Sequence, residues 1–217
     1  MIAALVPVKR LELGKSRLRA RLAREDVERL SLAMLGDVLA ALLAVRALDP
    51  VAVVTEDPLV ARAAEAAGAR AIEIADDGLN PSLERAARVI QDRALDGLLV
   101  VLGDVAGACA NDLRTLLDTL GELGGRGVVL APSLDGGTSA LLRAPPDVIP
   151  AAFGPDSAAR HRELAEAAGV PYRERVLPSL AIDIDLPDDL ARFARAPGDG
   201  VRTAALLREL GVRSDAR

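Results

Sequence analysis

The sequence predicts a single α/β domain built on a mostly parallel sheet, and three observations carry that prediction. Short aliphatic runs alternate along the chain with longer amphipathic stretches, the order of a parallel sheet whose crossovers are helices. Those runs are apolar at nearly every position rather than at every second one, as expected of strands covered on both faces. At 217 residues, 51% of them hydrophobic, the chain suits one core of ordinary size and would crowd two.

Strands are expected over residues 3–8, 51–55, 71–74, 98–102, 128–131 and 180–184. Between and after them, residues 24–47, 58–67, 82–95, 112–123, 156–168, 187–194 and 203–210 read as helices. Several of these open on Asp, Ser or Pro and close on Gly. Residues 136–143, with Thr138 and Ser139, suit a further strand or one arm of a hairpin. Residues 197–200 form the one linker-like segment, and the tail after Gly211 is expected to fray.

Composition narrows the function. Aromatics make up 1% of the chain and the net charge of -5 is spread in both signs, so neither base stacking nor a basic nucleic-acid surface is expected. A single cysteine, Cys109, excludes an internal disulfide and a thiolate metal cage, which makes the cytoplasm the natural compartment. The apolar run at residues 2–8 is too short, and has its basic residues on the wrong side, for a signal peptide. Elsewhere no apolar stretch approaches the roughly 20 residues of a membrane span. Two lysines, Lys9 and Lys15, stand against twenty-five arginines. Arg and Lys exchange freely on a solvated surface but not where a compact ammonium is needed, so this pair marks a local demand.

In an open parallel sheet, ligands sit beyond the carboxyl ends of the strands. After the first strand comes Pro7-Val8-Lys9-Arg10-Leu11-Glu12-Leu13-Gly14-Lys15-Ser16-Arg17-Leu18, dense in positive charge and leading into a helix. It suits a triphosphate, or else a solvated basic loop, and it is not a Walker loop. Two other strands run into carboxylates, Gly103-Asp104 and Asp183-Ile184-Asp185. Three carboxylates converging without partners repel, so a hard cation is expected among them. Magnesium fits, because it takes one or two carboxylates and completes its shell with phosphate oxygens and water. Asp185 equally suits a turn or helix cap before Pro187.

Asp135-Gly136-Gly137-Thr138-Ser139 and Phe153-Gly154-Pro155-Asp156-Ser157 are glycine loops. Their amides at Gly154 and Ser157, with the Thr138 hydroxyl, suit a phosphate, or serve as ordinary turns and caps. His161 suits capping or packing more readily than catalysis. Asn80 suits the edge of a purine, or an N-cap ahead of Pro81.

In this order the pieces resemble the 2-phospho-L-lactate guanylyltransferase family, which includes the phosphoenolpyruvate guanylyltransferases of deazaflavin coenzyme F-420 synthesis. The resemblance runs from Pro7 to Leu190. It rests on Pro-Val-Lys-x-Leu-x-x-x-Lys-Ser-Arg-Leu from Pro7, Gly-Leu-Asn from Gly78 and Asp-Gly-Gly-Thr from Asp135. It rests also on Phe-Gly-x-x-Ser-x-x-x-His from Phe153 and Asp-Ile-Asp-x-Pro-x-Asp-Leu from Asp183. The resemblance implies a three-layer α/β/α nucleotidyltransferase fold shared with glycosyltransferases, with magnesium held by Asp104, Asp183 and Asp185. It implies nucleotide contacts from Lys9, Lys15, Ser16, Arg17 and Asn80, the two lysines being catalytic. An acceptor phosphate is expected near Thr138, Gly154 and Ser157.

The implied substrates are GTP and a small phosphorylated carboxylic acid: phosphoenolpyruvate, 2-phospho-L-lactate or 3-phosphoglycerate. The implied product passes to the next enzyme of the coenzyme pathway. The alternative from another class is an inactive nucleotide-binding module. One departure stands out: the family usually has Ala-Asp-Leu-Pro where this chain has Gly103-Asp104-Val105-Ala106, which keeps Asp104 and loses the proline turn behind it.

Overall fold

The computed structural model describes residues 1–90, 95–195 and 199–212. Seven strands form one sheet: β1 (Ile2–Pro7), β2 (Leu48–Thr55), β3 (Arg70–Glu73), β4 (Gly97–Val101), β5 (Gly127–Pro132), β6 (Thr138–Ala144) and β7 (Tyr172–Glu174). Their spatial order is β3-β2-β1-β4-β6-β5-β7, and β6 alone runs against the rest. Every residue of β4 is buried, as its unbroken apolar run predicts. Helices cover both faces: α1 (Arg24–Leu43), α2 (Pro58–Ala66), α3 (Leu79–Ile90), α4 (Ala110–Glu122), α5 (Ser157–Ala167), α6 (Pro187–Phe193) and α7 (Val201–Glu209). Alternate residues of β1 and β4 feed the two principal aliphatic cores, one on each side of the sheet, so the three-layer α/β/α architecture is as the sequence predicts.

Residues 136–143 become the arm β6 of the hairpin β5–β6. The Asp135 carboxylate accepts from the Ser133 hydroxyl and from the Gly137 amide, which closes the turn, and Gly136 takes φ +86° there. Residues 180–184 are a correction: this segment is no strand. Pro178–Leu180 makes one turn of 3-10 helix and the chain then lies across the strand ends, where the Leu134 amide donates to the Ala181 carbonyl at 3.0 Å and the Ile184 amide to the Asp104 carbonyl at 3.2 Å. Its apolar residues are buried by different cores, Leu180 by the α4 side and Ile184 by a third cluster with Leu18, Leu190 and Phe193, rather than by sheet neighbours. A run of aliphatics looks the same in either case.

The strand β7 escaped the sequence reading because Tyr-Arg-Glu is short, charged and on the sheet edge. The first helix ends at Leu43 rather than at residue 47, because Val45 and Leu48 turn into the core to start β2. The third starts three residues early, at Leu79. Its residues 91–94, with part of the 197–200 linker and most of the tail, lie outside the described residues, and Leu95 is not helical. Asp37, a buried acid in α1, accepts from the Arg202 and Thr203 amides at 3.0 and 2.8 Å and so caps the start of α7.

Candidate active site

The loop after β1 and the segment 181–186 meet above the carboxyl ends of β1 and β4. Leu11 is buried and its amide donates to Asp57 Oδ2 at 2.9 Å, while Arg10 Nε donates to Glu56 Oε1 at 2.8 Å, so the loop is pinned to the end of β2. The chain then reaches Lys15 in a left-handed conformation, φ 49° and ψ 34°. For a residue with a Cβ this costs about 1–2 kcal/mol. Ser16–Ala20 follow as a single turn of 3-10 helix, too short to provide an anion site from its amides, so positive side chains dominate here.

The strained residue aims its ammonium at the carboxylates. Lys15 Nζ donates to Asp104 Oδ2 and lies 3.5 Å from Asp185 Oδ1, and Arg17 donates to Asp185 Oδ2 at 2.9 Å. Burial works hardest against the Lys15 charge, but Asp104, Asp185 and Asp183 together outweigh it and raise its pKa above the ordinary value. Lys15 is therefore a cation at neutral pH. Of the three carboxylates expected to converge, Asp104 and Asp185 are paired with Lys15, and Asp185 with Arg17 as well. Among the described residues no three carboxylates stand close enough to enclose an ion by themselves.

Capacity for a cation nonetheless remains. Asp104 Oδ1 is buried with no hydrogen-bond partner. Burial first, then Asp104 and Asp135, push the Asp183 carboxyl up to about 6, against the opposing pull of Lys15. An orphaned carboxylate oxygen beside an acid that resists ionisation fits a divalent ion bound by two carboxylates and completed by phosphate and water.

The glycine at 103 has a steric reason. A Cβ there would lie 2.9 Å from Val8 Cγ2 and 3.3 Å from the Pro7 carbonyl, so the ends of β1 and β4 close on a bare backbone. Behind Asp104 the absent proline is replaced by hydrogen bonds: the Val105 amide donates to Leu102 and the Ala108 amide to Val105, with Val105 and Ala106 fully buried.

A cleft of about 350 Å³ opens here, lined among others by Lys9, Lys15, Thr55, Asp76, Leu79 and Asp104. Lys9 is exposed and makes no ion pair among the described residues. A second cleft of about 150 Å³ adjoins it through Asp185 and is lined by Arg17, Asp135, Asp183, Asp189 and Arg192. Of these, Asp135, Asp189 and Arg192 were missed in the sequence. Asp135 and Asp189 sit inside motifs quoted above, the first in a glycine turn and the second in the expected helix 187–194. Asp189 Oδ2 accepts from the Asp185 and Leu186 amides at 3.1 and 2.7 Å and so sets the direction of Asp185.

Other expected residues lie elsewhere. Asn80 lines neither cleft: its Nδ2 donates to the Phe153 carbonyl at 3.1 Å and its Oδ1 accepts from the Phe153 amide at 2.8 Å. Each end of the amide makes one hydrogen bond to a single peptide unit, which ties the start of α3 to residue 153. Ser16 is exposed and also lines neither cleft. Thr138, Gly154 and Ser157 do come together. Ser157 and Thr138 share a hydroxyl hydrogen bond of 2.9 Å, and the Ser157 amide donates to Gly154 at 3.1 Å. Thr138 and Ser157 are buried and Gly154 is exposed, and the three sit at the start of α5 without lining either cleft.

Paired cations and carboxylates thus stand above the strand ends of this sheet. The fold is shared with solved structures. One is a protein of Desulfovibrio desulfuricans G20 described as a nucleotide-diphospho-sugar transferase, with TM-score 0.75 and 18% identity, covering 97% of this chain and 95% of the other. Another is CMP:2-keto-3-deoxy-manno-octonic acid synthetase complexed with CTP, with TM-score 0.61 and 17% identity over 96% and 99% of the two chains. Residues 2–217 match the profile of the guanylyl transferase CofC like family, and the chain belongs to that family. A relative from Sphaerobacter thermophilus, 43% identical over 88% of this chain and 91% of its own, is named phosphoenolpyruvate guanylyltransferase. One from Conexibacter woesei, 36% identical over 95% of both chains, bears the same name.

Proposed function

We propose that this protein transfers GMP from GTP to a small acid bearing one phosphate and one carboxylate, with release of pyrophosphate. Phosphoenolpyruvate is the favoured acceptor, ahead of 2-phospho-L-lactate and 3-phosphoglycerate, in keeping with the names of its relatives. Lys15 carries this reading: a strained, largely buried cation gripped by Asp104 and Asp185 in the cleft that Lys9 also lines.

An oxygen of the acceptor phosphate attacks the α-phosphorus of GTP. One P–O bond forms there, the bond to the bridging oxygen breaks, and pyrophosphate leaves with that electron pair. The attacking oxygen is already anionic, so the step needs charge neutralisation and in-line positioning more than a base. Lys15 and Lys9 offset the charge on the triphosphate and the leaving group. Asp104, through its unpartnered Oδ1, and Asp183 are the residues that would hold magnesium, with Asp185 at its edge; when bound, the ion neutralises and orients the phosphates. The larger cleft takes the nucleotide and the smaller faces the acceptor, whose carboxylate meets Arg17 or Arg192.

Asp76 also lines the larger cleft, with Oδ1 accepting from the Gly78 amide at 2.9 Å. Guanine presents N1–H and N2–H donors that a carboxylate accepts, and adenine does not. The lone cysteine suits a reducing cytoplasm, where the product is passed to the next enzyme of coenzyme F-420 synthesis. Among the described residues no helix is long and apolar enough to cross a membrane.

Pyrophosphate release from GTP and magnesium is the test, with each of the three acceptors and with ATP in place of GTP. Release with GTP and one acceptor supports the reading; silence with all three sinks it in favour of a module that binds nucleotide without chemistry.

A further inference from the structure

We propose that Glu56 is a specificity-determining positioning residue for the nucleotide: by bridging Arg10 and the Asp76 amide, it sets the Asp76 carboxylate to accept from both N1–H and N2–H of guanine. The proposal rests on guanylyl transfer as read above and adds to it the residue that fixes the choice of base.

Glu56 directly follows β2, and Asp76 lies three residues beyond the end of β3, its parallel neighbour. Arg10, Glu56 and Asp76 all line the larger cleft. The two oxygens of Glu56 have separate partners. Oε1 accepts from Arg10 Nε at 2.8 Å, which holds the loop that carries Lys9, and Oε2 accepts from the Asp76 amide at 3.2 Å. The Asp76 loop is also held by α3. Arg85 Nη2 donates to the Ala75 carbonyl at 2.5 Å and to Asp77 Oδ1 at 2.8 Å, and the Ser82 hydroxyl donates to the same Asp77 oxygen at 3.3 Å. The peptide unit between Ala75 and Asp76 is thus gripped at its carbonyl by Arg85 and at its N–H by Glu56, and the orientation of that unit sets where the Asp76 side chain starts.

Hydrogen-bonding capacity then selects the base. An ionised carboxylate offers about four acceptor sites and no donor. At Asp76, Oδ1 takes the Gly78 amide at 2.9 Å and, among the described residues, nothing donates to Oδ2. Arg10 is paired with Glu56 and Glu12 rather than with Asp76, so the Asp76 charge is left for the ligand. Guanine presents two adjacent donors, N1–H and N2–H. Hypoxanthine keeps only N1–H, and adenine puts a bare N1 in the same place, which a carboxylate repels. Val8, Val54, Ile74, Leu79 and Leu102 line the same cleft and suit the apolar faces of a base.

The experiment is equilibrium binding of GTP, inosine triphosphate and ATP, with magnesium and no acceptor, to wild type, Glu56→Ala, Glu56→Gln, Asp76→Ala and the double alanine variant. Wild type should prefer GTP to inosine triphosphate about tenfold, the worth of one hydrogen bond to a charged group. Glu56→Ala should cut that preference to within about threefold. Glu56→Gln, whose carbonyl oxygen still accepts from the Asp76 amide, should keep it, and in the Asp76→Ala background Glu56→Ala should leave the ratio unchanged. A general weakening of the cleft lowers both affinities alike and does not move the ratio. Equal wild-type binding of GTP and inosine triphosphate, a wild-type ratio in Glu56→Ala, a Gln variant no better than Ala, or an equal change of ratio without Asp76 would overturn the proposal. Should Glu56→Ala fail to fold, Arg85→Met, which frees the carbonyl side of the same peptide unit, decides by the same ratio. Wild type that binds no nucleotide refutes guanylyl transfer itself, whereas wild type that selects GTP, with the ratio kept in every Glu56 variant, refutes only the role of Glu56.

Discussion

Lys15→Met separates what the cation does for the fold from what it does for the reaction. The Lys15 and Asp104 side chains are 13% and 21% exposed. Methionine leaves Asp104 with both oxygens short of partners, since Oδ1 already has none. Removing one member of a largely buried pair then costs about 2–4 kcal/mol, somewhat below the fully buried case. Adding Asp104→Asn removes the stranded charge, so the double variant should regain about 1–3 kcal/mol relative to the sum of the single losses. Activity should behave otherwise. Lys15→Met should lower kcat/KM by about a hundredfold or more, the scale of losing a group that stabilises developing charge, and Asp104→Asn should lower it further. Urea unfolding and pyrophosphate release on the same four proteins give both cycles. If Lys15→Met keeps kcat/KM within about threefold of wild type, or if the double variant recovers activity along with stability, Lys15 is a structural cation and the catalytic assignment is wrong.

Three further outcomes are expected. Asp183→Asn should abolish magnesium-dependent turnover while raising the melting temperature in metal-free buffer near pH 7.5, because it removes an acid that Asp104 and Asp135 repel; a fall in both would show a structural role instead. Asp76→Asn should weaken GTP and favour xanthosine triphosphate, whose altered base edge suits an amide, and an unchanged GTP to ATP preference would move base reading elsewhere. Stability should fall in acid through His161, whose folded pKa of about 4 lies below its unfolded value of 6.5. Between the two the unfolded chain binds the extra proton, so the contribution is complete above pH 6.5 and lost as pH drops towards 4. At pH 5 the loss is about 2 kcal/mol, measurable as a smaller pH slope in His161→Gln.

The parallel sheet and most of its helices were legible from aliphatic runs of strand length between amphipathic stretches, because burial on both faces leaves a pattern in sequence that needs no neighbours to read. The rare lysines in an arginine-rich chain and the acids of the motifs, Lys9, Lys15, Asp104, Asp183 and Asp185, all line the two clefts at the carboxyl edge of the sheet. What each does there was decided by contacts between distant segments. Residues 180–184 have a strand's composition but lie across the sheet's end, because Leu180 and Ile184 find different cores to enter. Lys15 partners Asp104 across 89 positions of sequence and Asp185 across 170, so a lysine stands between two of the acids. Asn80 is tied to Phe153, 73 residues away, and His161 to Thr138, 23 away. Side-chain chemistry and local pattern are written residue by residue; which donor meets which acceptor depends on the packing of the whole chain, and only the tertiary structure decided it.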